Sequence, residues 1–214
     1  MAHLCWAREH VSWTRQQWGS VLFTDESIFI LESDSGRLLI WREQRTRYYQ
    51  SNTLENHSYR GGGIMVLAGI SLGGHTDLHV FHGGTLTGVR YRDEILDPYV
   101  RPYAGAIGND FILMDGNARP HRAVVVEYHL EGHGLERIKW PAQSPDLNPI
   151  EHLWDYLGRQ VAALSPPTRS LDELKQGLLR VWSSLPISVS DNLIDSLKSR
   201  CRQYIQVRSG HIPY

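Results

Sequence analysis

The run FILMD, Phe111 to Asp115, is four apolar residues that end on a carboxylate. A short apolar run without polar alternation reads as a strand buried on both faces. Such a strand needs packing above and below it, so the chain must supply a sheet with helices on its faces. The rest of the sequence fits that demand. VLFTDESIFIL (21–31) and LLIWRE (38–43) read as a strand pair, with SDSG as the turn between them. GGGIMVLAGISLGG (61–74) reads as a buried strand bracketed by glycines, and DLHVFHGG (77–84) as a half-buried one. LERIKW (135–140) adds another strand.

Helical patterns cover 88–103, with Leu96, Tyr99 and Val100 facing inward, and 120–131, opened by Pro120. Further helical patterns cover 150–164, 171–184 and 190–207. Residues 6–18, rich in tryptophan, read as a short helix or arm. WPAQSPDLNP is a proline-punctuated loop and SPPTRS a linker. Antiparallel-type strands, then alternating strand and helix, then helices, make an α/β chain with a mixed sheet flanked by helices.

Composition narrows the class. A chain of 214 residues, 41% hydrophobic, suits one globular domain or a domain with a small appendage. A net charge of -1 carries no global nucleic-acid signal, although a local basic patch would suffice. Cys5 and Cys201 sit in no CxxC pair and read as free thiols of a reducing compartment. No apolar run reaches membrane-span length, and the first residues lack the apolar core of a secretory signal, so the expectation is a soluble intracellular protein without a membrane partner. The eleven histidines show neither HExxH nor Cys/His ligand spacing, so solvated or hydrogen-bonded histidines are expected rather than zinc ligands. His121 stands apart because it follows the FILMD strand closely. It reads either as lining a site or as part of a helix start.

Three acids stand where chemistry can use them. Asp25 follows the apolar run VLFT, Asp115 ends FILM, and Glu151 opens a helix after SPDLNP. Carboxylates at strand ends and a helix start can converge on one sheet edge, and such oxygens suit hard cations such as Mg²⁺. Plain readings stand beside this one. Asp25 and Glu26 can cap a strand end in solvent. Asp115-Gly116 can be an ordinary turn. Glu151 can complete a capping arrangement behind Asn148 and Pro149.

The motif WPAQSPDLNPIEHLW resembles the signature of Tc1/mariner-type transposases, in which the Glu after Asn-Pro-Ile is the third catalytic acid. VLFTDES resembles the segment of their first catalytic Asp, and NARPHRA the segment just after their second. GGGIMVLAGIS and the ending GHIPY also fit, so the resemblance runs from about Trp6 to Tyr214. It implies an RNase H-like fold and DNA strand cutting and joining with Mg²⁺ or Mn²⁺. It also implies DNA as partner, a homodimer and a nuclear location. Residues 1–20 would be an arm or linker remnant, 21–164 the catalytic core and 165–214 a helical extension.

Carried over position by position, the first acid matches Asp25 and the third Glu151. The second does not match. The family's spacing, counted back from Glu151, falls on Gly116. The family's second Asp also directly precedes the Asn of Asn-Ala-Arg-Pro-His, here Asn117, which again marks Gly116. The chain thus resembles Met-Asp-Asp-Asn with its catalytic Asp replaced by Gly. Asp115 is the candidate stand-in, as catalytic and metal residue, but successive side chains of a strand point to opposite faces, so it should aim away. Met1 stands 24 residues before Asp25, which leaves no room for the family's helix-turn-helix modules. Weak DNA binding is therefore expected, and Lys198, Arg200, Arg202 and Arg208 read either as phosphate contacts or as a solvated helix face. The resemblance implies a transposase catalytic domain, impaired at residue 116. The alternatives are a host-retained scaffold that binds DNA or protein, and another RNase H-like nuclease.

Overall fold

The computed structural model describes residues 2–31, 38–40, 63–141 and 144–206. Its strands among these are β1 (Val21–Leu31), β2 (Leu38–Ile40), β3 (Gly63–Ser71), β4 (Gly74–His75), β5 (His79–Val80), β6 (Ile112–Met114) and β7 (Glu136–Arg137). They form one sheet in the order β4-β3-β1-β6-β7, with β2 paired to β1 and β5 to β3. β1 is its axis. Antiparallel β3 runs along one edge of β1, from Phe23 opposite Ile70 to Ile30 opposite Gly63. The other edge is shared. Parallel β6 holds Val21 to Phe23, with Phe23 opposite Met114, and antiparallel β2 holds Phe29 to Leu31. The mixed sheet expected from the sequence is therefore present.

Side-chain parity sorts the core into two halves. Val21, Phe23 and Phe29 of β1, with Val66, Ala68 and Ile70 of β3 and Met114 of β6, point to one face. That face is covered by α6 (Pro149–Ala162), α7 (Leu171–Ser183), α8 (Ile187–Asp195) and α9 (Leu197–Gln206). Trp154 and Leu157 of α6 lie at its centre. Leu22, Leu67 and Leu113 point the opposite way. They meet α3 (Gly88–Tyr91), a π-helical stretch over Arg92–Val100, α4 (Arg101–Ile107) and α5 (Val124–Gly132). Strand alternation alone produces this division, because neighbouring residues must leave a strand on opposite sides.

Several elements differ from their expected form. The helix over 88–103 extends to Ile107 and is π-helical around Pro98, whose ring nitrogen cannot donate to the helical ladder. Leu96 and Val100 are buried as expected, while Tyr99 is only partly so. The 120–131 pattern is a 3-10 turn, Pro120–Arg122, then α5, separated where Ala123 turns extended at ψ 143°. The pattern over 190–207 is two helices, and the first begins at Ile187, just after Pro186. They part at Ser196, whose hydroxyl donates to the Leu193 carbonyl and competes with the backbone ladder. The stretch 6–18 holds two short helices, α1 (Ala2–His10) and α2 (Arg15–Gly19). The SDSG turn, residues 41–43, Arg208 and the GHIPY ending lie outside the described residues.

Candidate active site

The parity that builds the core also sets the acids. Asp25 continues the series Val21, Phe23, so it leaves β1 on the face covered by α6. It is 6% exposed. Glu151 sits in the first turn of α6, which packs on β1, and is 7% exposed. The capping alternative for Glu151 lacks its Asn148 half, since the Asn148 side chain makes no cap hydrogen bond. β6 ends at Met114, opposite Phe23. Carried two residues further, that register sets residue 116 opposite Asp25. The geometry agrees: a Cβ built on Gly116 would lie 3.8 Å from Asp25 Oδ1.

Asp115 leaves the chain on the other side, with Leu113. Its carboxylate is fully buried. Oδ2 accepts from the Tyr91 hydroxyl at 3.3 Å and lies 3.2 Å from the Arg137 guanidinium. Oδ1 lies 3.6 Å from Arg122. Burial pushes the Asp115 carboxyl above its ordinary range, while the charges of His121, Arg137 and Arg122 pull it back. Among the described residues, Asp25, Asp115 and Glu151 do not form a group whose ligand oxygens all lie within 4.8 Å of one another.

His121 ties the two sides together. It is 1% exposed. Nε2 lies 2.6 Å from Glu26 Oε1, Nδ1 lies 2.9 Å from the Gly116 carbonyl, and the ring stacks on Tyr91 at 4.2 Å. Burial alone would lower its pKa. The Glu26 charge and hydrogen bond, then Asp115 and the Gly116 carbonyl, outweigh burial and raise it to about 9. An imidazolium with both nitrogens donating satisfies both partners. His121 thus holds the backbone of residue 116 from beneath.

A family model for the DDE superfamily endonucleases matches residues 20–175. The Tcb2 transposase of Caenorhabditis briggsae is 31% identical over 226 residues, which cover 100% of this chain and 77% of that protein. The chain belongs to the Tc1/mariner transposases. The Tc1 transposase of Caenorhabditis elegans is 30% identical over 215 residues, with the same coverage of 100% and 77%. Among solved structures, a Mos1 transposase paired-end complex with the left transposon end matches at TM-score 0.74 and 16% identity. The match covers 99% of this chain and 62% of that one, and at this identity it shows the shared RNase H-like fold. This transposase domain keeps that fold around two buried carboxylates. Asp25 and Glu151 offer hard oxygen donors of the kind that suits Mg²⁺ or Mn²⁺, and residue 116, a glycine, adds no side-chain donor of its own.

The remaining candidates divide. Lys198 and Arg202 are exposed on α9. Arg200 is turned inward, donating to the carbonyls of Asp146 and Leu193 and to the Ser196 hydroxyl, so it braces the helix junction. Sequence reasoning read Glu26 only as a strand-end cap and missed Tyr91 and Arg137; the three hold His121 and Asp115 in place. The alternation of β1 carried the signal for Glu26, since the residue after Asp25 must face the other way. Tyr91 and Arg137 come from distant segments that only the folded chain brings near. Beside this cluster a recess of about 390 Å³ is lined by Asn117, Arg122, Arg137, Lys139 and Trp140, among others.

Proposed function

We propose that this chain is the strand-cutting domain of a Tc1/mariner-type transposase, crippled because its second acid is missing at Gly116. One observation carries the reading: a side chain on residue 116 would start 3.8 Å from Asp25 Oδ1, on the face of Glu151, while Asp115 is committed to Tyr91 and Arg137 on the other face. Asp25 and Glu151 would hold a divalent ion, Mg²⁺ or Mn²⁺, which when bound would lower the barrier to attack on a DNA phosphodiester and steady the leaving oxygen. His121, paired with Glu26, keeps the residue-116 backbone still. With one carboxylate absent, metal is held more weakly and attack is poorly aligned, which costs orders of magnitude in rate. The substrate would be transposon-end and target DNA in the nucleus, handled by a homodimer.

A second reading has its own support. The recess lined by Arg122, Lys139 and the Arg137–Glu127 pair would offer a phosphate cationic partners without any cutting, as a retained DNA-binding scaffold would need.

The test compares the chain with Gly116→Asp on supercoiled plasmid in Mg²⁺ and Mn²⁺. The substitution has room, since the nearest atom to the new Cβ is His121 Nδ1 at 3.6 Å. Metal-dependent nicking and a metal-dependent rise in melting temperature are expected only for Gly116→Asp. Equal nicking by the unaltered chain would overturn the reading. DNA retention by both proteins with nicking by neither would favour the scaffold.

A further inference from the structure

Away from the catalytic face, the geometry points to a second metal site, for a transition-metal ion of the zinc class, built from Asp97, His129 and His133. Among the described residues these three form the one group whose ligand atoms all lie within 4.8 Å of one another. His129 lies on α5 and His133 caps the C-terminal end of that helix, four residues on, so their rings share one side of it, with centroids 4.4 Å apart. Asp97 comes from the facing π-helical stretch, and its Oδ1 lies 3.7 Å from His129 Nε2.

Three details suit a cation rather than chance crowding. The His129 side chain is 7% exposed, and its Nε2 is a buried nitrogen without a hydrogen-bond partner, facing Asp97 Oδ1 across 3.7 Å. His133 Nδ1 donates to the His129 carbonyl at 2.8 Å, which makes Nε2 the ring's acceptor nitrogen, now turned to the Arg101 guanidinium. The place already attracts positive charge. Arg101 NH1 lies 3.2 Å from Asp97 Oδ1 and 3.5 Å from His133 Nε2. That arginine is 52% exposed, so it can swing out and give way to an ion. Two imidazoles and one carboxylate favour Zn²⁺, Co²⁺ or Ni²⁺ over Mg²⁺, with a fourth position left for water. A bound ion would clasp α5 to the π-helical stretch. His129 and His133 stand four apart in the sequence, which a reading for HExxH or Cys/His spacing passes over, and Asp97 is joined to them only by the fold.

Zinc and cobalt titrations of the whole chain test this, read by Co²⁺ visible absorption and by Zn²⁺-dependent thermal shift. One equivalent should bind and raise the melting temperature, and excess Mg²⁺ should not displace it. His133→Ala, at an exposed position that leaves the fold intact, should weaken binding by on the order of tenfold or more. Arg101→Gln should tighten it, because the competing guanidinium is gone. Absence of any bound equivalent, or binding indifferent to both substitutions, would overturn the site.

Discussion

At the scale of single residues, adjacent positions have opposite fates. Asp115 and Gly116 are neighbours, yet one side chain is buried among arginines and the other position faces Asp25. Removing Asp115 should therefore harm stability, not chemistry. Asp115→Ala leaves Arg137, 8% exposed, without one of its two carboxylates. Breaking a buried pair of this kind costs about 3 kcal/mol or more. Urea denaturation should show that loss, while Asp115→Ala added to Gly116→Asp should still nick below its melting point. Loss of nicking in the folded double variant would instead make Asp115 a catalytic acid. His121 gives a pH signature. Its pKa is raised from 6.5 to about 9, so its pairing contributes about 3 kcal/mol below pH 6.5 and loses it as pH rises through about 9. Imidazole NMR in chelator should show the ring still protonated at pH 8, and stability should fall between pH 7 and 10. A ring that titrates near 6.5 would mean that the Glu26 pair is not formed. Two motif rulers in the sequence met at Gly116, a position the fold sets beside Asp25; Tyr91 and Arg137 were not legible, since no local pattern links them to Asp115.

At the scale of elements, what could be read follows from period and flanking residues. The strands β1 and β3 and the helix α6 were legible because each carries a long, consistent burial pattern. β5 and β7 shrink to two residues each, since pairing with a neighbour, not local propensity, decides how far an edge strand runs. The π-helical stretch was hidden for a similar reason, because helical periodicity alone cannot separate an α-helix from one widened around Pro98. α6 is the element that brings Glu151 to the sheet, and its anchor is Trp154, stacked on Trp182 at 5.6 Å and edge-on to Phe29 at 6.3 Å. Trp154→Ala should cost about 3–5 kcal/mol by leaving a cavity between α6, α7 and β1. In the Gly116→Asp background it should also lower metal affinity, because the helix that positions Glu151 is no longer held. A stability loss with unchanged metal affinity would show that other contacts set the Glu151 position.

At the scale of the whole molecule, the expected division into arm, core and extension meets a single packing cluster. Trp6 and Trp18 from the first twenty residues, Phe23 and Met114 from the sheet, and Trp182, Cys201 and Tyr204 from the last helices all belong to it. α1 packs against α9, and the Trp6 ring lies 4.5 Å from that of Trp140. Trp182 Nε1 also donates to the Thr76 carbonyl at 2.8 Å, which ties α7 to the turn after β4. Segments that share buried side chains lose their packing together, so they should unfold as one unit. Far-UV circular dichroism and tryptophan fluorescence should therefore report the same urea midpoint. Trp6→Ala removes a large side chain that is 4% exposed, so it should lower that common midpoint by about 3–5 kcal/mol of stability without splitting the transition. The β-sheet signal and the C-terminal helices respond to the same lost contact because their buried side chains belong to one cluster. Two separated midpoints in the unaltered chain would support the three-part division. In that case a core lacking the last helices would fold alone and still carry Asp25 and Glu151 on one face.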